Sequence, residues 1–121
     1  AQYEVNKLSA ELGNADVELV RKELGTEFDM IVHEPDGILE IGQAGHSKAS
    51  GIERLCASLG IAKEDTYAFG DSANDVEMLE FVAHGIAMGN GTDVAKNAAE
   101  FVTTDIHKDG IWNGLKHYGL I

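Results

Sequence analysis

Thr66-Tyr67-Ala68-Phe69-Gly70-Asp71-Ser72-Ala73-Asn74-Asp75 decides the reading of this chain. Thr66 to Phe69 has the β-branched and aromatic character of a strand, and Gly70 ends it. A helical pattern follows at once, carried by Val76, Leu79 and Val82. Open α/β sheets bind ligands outside the carboxyl ends of their strands. Here two carboxylates and an amide stand at such an end. Asp71 and Asp75 lie four residues apart, so they can share one face of the turn and the new helix. Hard oxygen ligands of this kind suit Mg²⁺ held beside a phosphate. The stretch therefore reads as half of a phosphate-handling metal site. For Asp71 the plainer alternative is a helix N-cap. For Asp75 it is support for the helix terminus.

Outward from this stretch the pattern alternates. Lys48 to Leu59 carries Ile52, Leu55, Cys56 and Leu59 at helical spacing, and Gly60 stops it. Gly85-Ile86-Ala87-Met88 reads as a short apolar strand, residues 92–99 as a helix, Phe101-Val102 as a strand and Ile111 to Tyr118 as a last helix. Short strands alternating with helices predict a parallel sheet with right-handed crossovers. Upstream, Asp16 caps an expected helix to Leu24, with Val17, Val20 and Leu24 as its apolar stripe and Gly25 as its stop. Phe28 to Val32 and Ile38 to Ile41 read as a hairpin around Pro35-Asp36-Gly37, and residues 42–47 read as a linker.

Composition bounds the function. The chain has 121 residues, 44% hydrophobic and 25% charged, which are globular values. Its net charge is −12, from 9 basic and 21 acidic residues. That argues against a nucleic-acid or anionic-membrane surface, which needs clustered Lys and Arg. The single cysteine, Cys56, excludes an internal disulfide, fits a reducing cytoplasm and reads as a small core residue. Met30, Met78 and Met88 also read as core. No apolar run approaches the ~18 residues of a membrane span. The five histidines show no ligand spacing, and only His46 lies near the site in sequence. Gly89-Asn90-Gly91 reads as a strand-to-helix turn, with a phosphate cradle as the alternative.

The order of segments in the second half resembles one family. Ser47-Lys48 opens a helix; Tyr67-Ala68-Phe69-Gly70-Asp71-Ser72-Ala73-Asn74-Asp75-Val76-Glu77-Met78-Leu79 follows about twenty residues later. Gly85-Ile86-Ala87-Met88-Gly89-Asn90, then Ala99-Glu100-Phe101-Val102-Thr103 and Asp109-Gly110-Ile111, complete it. This resembles the C-terminal part of a haloacid-dehalogenase-superfamily hydrolase of the Cof type, over residues 38–121. The resemblance implies an α/β fold. Residues 1–41 would be the tail of a cap domain, 42–47 the linker, and 48–121 the second half of a Rossmann-like parallel-sheet core.

The resemblance also implies a Mg²⁺-dependent phosphatase of small phosphorylated metabolites of the sugar-phosphate type, acting through an aspartyl-phosphate intermediate. Lys48 is then the catalytic lysine that holds the phosphate, Asn74 orients Lys48 or the phosphate, and Asp71 and Asp75 serve the metal. The plainer reading of Lys48 is a solvated first-turn lysine, although a cation there opposes the helix dipole by a few tenths of a kcal/mol. Two departures stand out. Ala49 follows the lysine where the family usually has Gly. More importantly, the family's nucleophile lies in an Asp-x-Asp motif on the first strand, and this sequence contains no Asp-x-Asp. The expectation is a fragment of a phosphatase, inactive by itself. The competing expectation is a non-catalytic domain that keeps metal or phosphate binding. With strand 66–69 separated from its neighbour, a homo-oligomer or attachment to the rest of the parent chain is also expected.

Overall fold

The computed structural model describes residues 6–14, 16–33 and 37–121. The chain divides into two compact units, one ending at His46 and one running from Ser47 to Ile121.

The first unit is an antiparallel three-stranded sheet with one helix. Strands β1 (Lys7–Glu11), β2 (Phe28–His33) and β3 (Ile38–Gln43) pair in the order β1-β3-β2. Helix α1 (Val17–Leu24) joins β1 to β2. Asp16 caps it as expected, accepting from the N–H groups of Glu18 and Leu19, and Gly25 closes it at φ +64°. In the hairpin Leu39 faces Val32 and Ala10, and Ile41 faces Met30 and Leu8, so alternation places these apolar residues on one face. Leu39 is the buried centre of that face, at 2% exposure.

Strand β1 was not expected, although Leu8 and Ala10 alternate with Lys7, Ser9 and Glu11 as a half-solvated strand should. Strand β3 runs two residues beyond the expected Ile41, because Gly42 and Gln43 stay in register with Asp29 and Phe28. Those two residues therefore belong to the sheet and not to a linker. Of the expected turn, Pro35 and Asp36 lie outside the described residues; Gly37 takes φ +64° and donates its N–H to His33 O.

The second unit is a three-stranded parallel sheet, β4 (Tyr67–Gly70), β5 (His84–Ala87) and β6 (Phe101–Val102), in that order. Helices α2 (Lys48–Leu59), α3 (Val76–Phe81), α4 (Asp93–Ala98) and α5 (Gly110–His117) surround it. The two faces differ in residue size. Ala68 pairs with Gly85 and Gly70 with Ala87, a smooth surface; Tyr67, Phe69, His84 and Ile86 make the other face. A Cβ at Gly85 would sit 2.3 Å from Leu79 O, so α3 lies directly on the small-residue face. On the opposite face a Cβ at Gly114 would meet the Phe69 ring at 2.5 Å, so α5 rests on the large residues. Leu79, Val82, Ile86, Ala87, Met88 and Ala95 form the core between these layers.

Helix α2 departs from expectation. It ends in a left-handed Gly60 as read from sequence, but Leu55 and Leu59 are 57% and 62% exposed and Cys56 is only half-buried. Its principal neighbour is α3 rather than the sheet, and that contact does not reach the outer half of the stripe. Of the methionines, Met88 is buried while Met30 and Met78 are half-buried.

Candidate functional site

The site is built at the carboxyl end of β4. Gly70 has no side chain, and a Cβ there would lie 2.7 Å from Asp75 Cβ. That space lets the chain fold back through a short 3₁₀ turn, Ala73–Asp75, before α3 begins. Asp75 consequently points back at its own loop. Its Oδ2 accepts the Asp71 N–H at 2.9 Å and the Ser72 N–H at 3.2 Å. Its Oδ1 accepts from Lys48 Nζ, the first residue of α2. Asp75 is only 4% exposed. Burial pushes its carboxyl up, but the hydrogen bond from Lys48 and those from the Asp71 and Ser72 N–H groups outweigh it, holding the carboxyl below its ordinary range.

Lys48 and Asp75, 27 positions apart in sequence, are thus brought together as one charge-assisted pair. Asn74 is half-buried, and its Oδ1 lies 2.5 Å from Ser72 Oγ, within the same turn. Asp71 is exposed, and none of the described residues hydrogen-bonds its carboxylate. Its backbone is fixed: Asp71 O accepts the Thr92 N–H at 2.8 Å.

Among the described residues, no cluster of three or more His, Cys, Asp and Glu side chains is gathered for a metal ion. The donor chemistry distinguishes the two acids. Both Asp75 oxygens already accept hydrogen bonds from the protein. Asp71 offers an open carboxylate. Mg²⁺ retains several waters and uses one or two carboxylates plus substrate phosphate oxygens. Asp71 fits that role as a direct ligand, with Asp75 behind it.

The Gly89-Asn90-Gly91 loop is a turn. Gly89 N–H donates to Thr104 O, Gly91 N–H to Met88 O and Thr92 N–H to Asp71 O. Asn90 Oδ1 accepts the Ile106 N–H at 2.9 Å, tying the loop to the segment after β6. A Cβ at Gly91 would stand 3.0 Å from Asp71 O, which explains the glycine by close backbone approach. His46 lies in the first unit, its Nδ1 3.2 Å from Ala44 O.

Two serines were missed as contributors. Ser72 gives its N–H to Asp75 and its hydroxyl to the Asn74 amide. Ser47 caps α2 in a reciprocal box with Ser50, fixing the helix start that carries Lys48. The signal was present in Ser72-Ala73-Asn74-Asp75, a Ser-x-x-acid pattern that marks capping boxes.

Comparison with known proteins identifies the family. Residues 2–115 match the family model for haloacid dehalogenase-like hydrolases. The chain is 42% identical over 84 residues to 5-amino-6-(5-phospho-D-ribitylamino)uracil phosphatase YitU of Bacillus subtilis, covering 69% of this chain and 31% of that protein. A crystal structure of a hypothetical protein from Geobacillus kaustophilus HTA426 is 47% identical, with a TM-score of 0.73, over 87% of this chain and 40% of that one. The HAD subclass IIB sugar phosphatase BT4131 superposes with a TM-score of 0.88 at 31% identity, over 98% of this chain and 45% of that one. The chain spans less than half the length of each of these relatives.

Proposed function

This chain belongs to the haloacid dehalogenase-like hydrolases, and from that premise we propose that it forms part of a Mg²⁺-dependent cytoplasmic phosphatase of small phosphorylated metabolites. The observation that carries this reading is the Lys48–Asp75 pair held beside the exposed Asp71 at the carboxyl end of β4. The carboxyl end of a strand in an open parallel sheet is where ligands sit. Family likeness adds the sugar-phosphate class, since one structural neighbour is a sugar phosphatase.

Each residue has a physical task. Lys48 is a compact point charge on a flexible stem, suited to a phosphate oxygen and to the charge that develops during transfer. Asp75 fixes the ammonium in place. Asp71 supplies the open carboxylate for the metal. Bound there, Mg²⁺ would neutralise phosphate charge and orient the reacting group. Asn74, pinned by Ser72 in the same turn, would orient Lys48 or the phosphate.

The attacking carboxylate is not among these residues, since the sequence has no Asp-x-Asp. The proposed enzyme takes its nucleophile, and its aspartyl-phosphate, from a further segment or a second chain. We read residues 1–41 as belonging to a cap and 48–121 as belonging to the core. A non-catalytic metal- or phosphate-binding module is the second reading, and the same missing motif is what favours it.

The deciding experiment is phosphate release from p-nitrophenyl phosphate with Mg²⁺. The 121-residue chain alone should show no turnover. Supplying the upstream half of a relative, in one chain or two, should restore turnover that Lys48→Ala lowers by about 10²–10³. Turnover by the isolated chain would refute the division of labour; no turnover in any combination, with Mg²⁺ still bound, would favour the binding module.

A further inference from the structure

We propose that Asn90 is a positioning residue for Asp71. Its side chain braces the Gly89-Asn90-Gly91 turn between the segments that follow β4 and β6, and that turn fixes the backbone carrying the Asp71 carboxylate. Asp71 has an open carboxylate on a backbone held at both ends. Its N–H donates to Asp75 Oδ2 at 2.9 Å, and its C=O accepts the Thr92 N–H at 2.8 Å. The first tie lies within the turn after β4. The second is only as firm as the segment that carries Thr92.

That segment is wedged on both flanks. A Cβ at Gly89 would lie 2.7 Å from Asp105 N and 2.8 Å from Thr103 O. A Cβ at Gly91 would lie 3.0 Å from Asp71 O and 3.1 Å from Asp71 Cα. Backbones this close leave no room for a displacement of the turn to die away before Asp71. Two hydrogen bonds hold the turn to the segment after β6. Gly89 N–H donates to Thr104 O at 3.1 Å, and Ile106 N–H donates to Asn90 Oδ1 at 2.9 Å. The second is the side-chain brace. Asn90 is exposed, and its backbone is not left-handed: among the described residues only Asp109 combines a side chain with positive φ. Neither burial nor backbone strain therefore calls for an asparagine here; the bond to Ile106 does. The anchor is itself firm. Thr103 Oγ1 donates to Gly110 O at 2.7 Å, and Thr104 Oγ1 accepts from Asn113 Nδ2 at 2.8 Å, which ties the segment to α5.

The consequence concerns the metal. Mg²⁺ demands near-ideal octahedral geometry, so a carboxylate whose backbone drifts is a poorer ligand. This consequence rests on the proposed metal role of Asp71; the brace does not.

The test is NMR on the full chain, with amide exchange and a titration with Mg²⁺ alone. Asn90→Ala should raise exchange at Ile106 by roughly tenfold and, beyond that contact, at Thr92 by roughly three- to tenfold, with β4 and β5 unchanged. Asn90→Asp keeps the acceptor oxygen and should restore protection at both amides. In Asn90→Ala the Mg²⁺ midpoint read at the Asp71 and Ser72 amides should rise by roughly tenfold, as when an outer support of a ligand is removed. A rise in exchange confined to Ile106 would overturn the proposal, since Asn90 would then serve its own turn alone. So would unchanged exchange, failure of Asn90→Asp to rescue, or an unmoved Mg²⁺ midpoint. If the natural chain takes up no Mg²⁺, the metal reading of Asp71 fails, and exchange at Thr92 still decides the brace.

Discussion

The two sheets of this protein solve the same burial problem in opposite ways. In the first unit the antiparallel strands keep one face for solvent, and among the described residues only Leu39 is buried. Ionic contacts work on the open side: Glu40 accepts from Lys7 at 2.7 Å, with His33 at 3.3 Å. In the second unit both faces of the parallel sheet are covered, one smooth and one bulky, and Ile86 is 0% exposed. A parallel sheet requires such cover, whereas an antiparallel one does not. The lesson is that the site grows on the rigid sheet. Gly70 and Gly85 exist to let Asp75 and α3 approach, and the Lys48–Asp75 pair is a by-product of that closeness.

The largest expected effect lies at the site itself. In an enzyme completed by its other half, Lys48→Ala should lower kcat by about 10²–10³, the loss typical of one preorganised charge donor. Asp71→Ala should reduce rate and Mg²⁺ dependence together. Steady-state kinetics across a Mg²⁺ series check both, and near-normal constants in either variant would refute the residue assignment.

Next comes a matched pair of glycines. Gly85→Ala in β5 forces a Cβ to 2.3 Å from Leu79 O and should destabilise by about 1–3 kcal/mol or more. Gly42→Ala in β3 meets nothing within 4 Å and should be neutral or gain about 0.5–1 kcal/mol. Urea unfolding curves for both variants would show the contrast. Equal costs would mean that the two sheets are packed alike.

Acid should sharpen the contrast further. The folded-state carboxyl of Asp75 is depressed below its unfolded value. Its stabilisation is therefore present above the ordinary Asp range and is lost as pH falls through the folded value. Glu40 behaves in the same direction, mainly through its hydrogen bond from Lys7 against a smaller cost of burial. Asp75 is nearly enclosed while Glu40 sits on a part-solvated face, so the second unit should lose more on acidification. Trp112, the single tryptophan, lies in α5 and reports on that unit. Unfolding followed by its fluorescence should weaken below about pH 4, and Asp75→Asn should flatten that slope. An unchanged slope would remove Asp75 as its source.

The smallest effect concerns association. Strand β4 pairs only with β5 among the described residues, so its outer edge carries unpaired backbone groups with no Lys or Pro to blunt it. Leu55 and Leu59 add exposed apolar area on α2. The isolated chain should therefore self-associate, as light scattering on protein of confirmed mass would reveal. A monodisperse monomer of 13.0 kDa with cooperative unfolding would show that the unit closes on itself.

The sequence by itself determined the elements whose signals are local. Asp16 and Gly25 bracket α1, Gly60 ends α2, and the alternation of short apolar strands with helices specifies a parallel sheet. It also placed Asp71, Asn74 and Asp75 on one turn, because that turn is continuous in the chain. What escaped was non-local or weakly patterned. Strand β1 has only Leu8 and Ala10 to mark it, and the end of β3 depends on pairing with Phe28 and Asp29. Only the tertiary structure could bring Lys48 onto Asp75, since an ion pair across 27 residues depends on how α2 packs against α3. Only the structure separated the two acids, giving Asp75 to Lys48 and two N–H groups and leaving Asp71 open. The reason is physical: a hydrogen-bond partner is a matter of position in space, and carboxylates of identical chemistry differ only by what surrounds them.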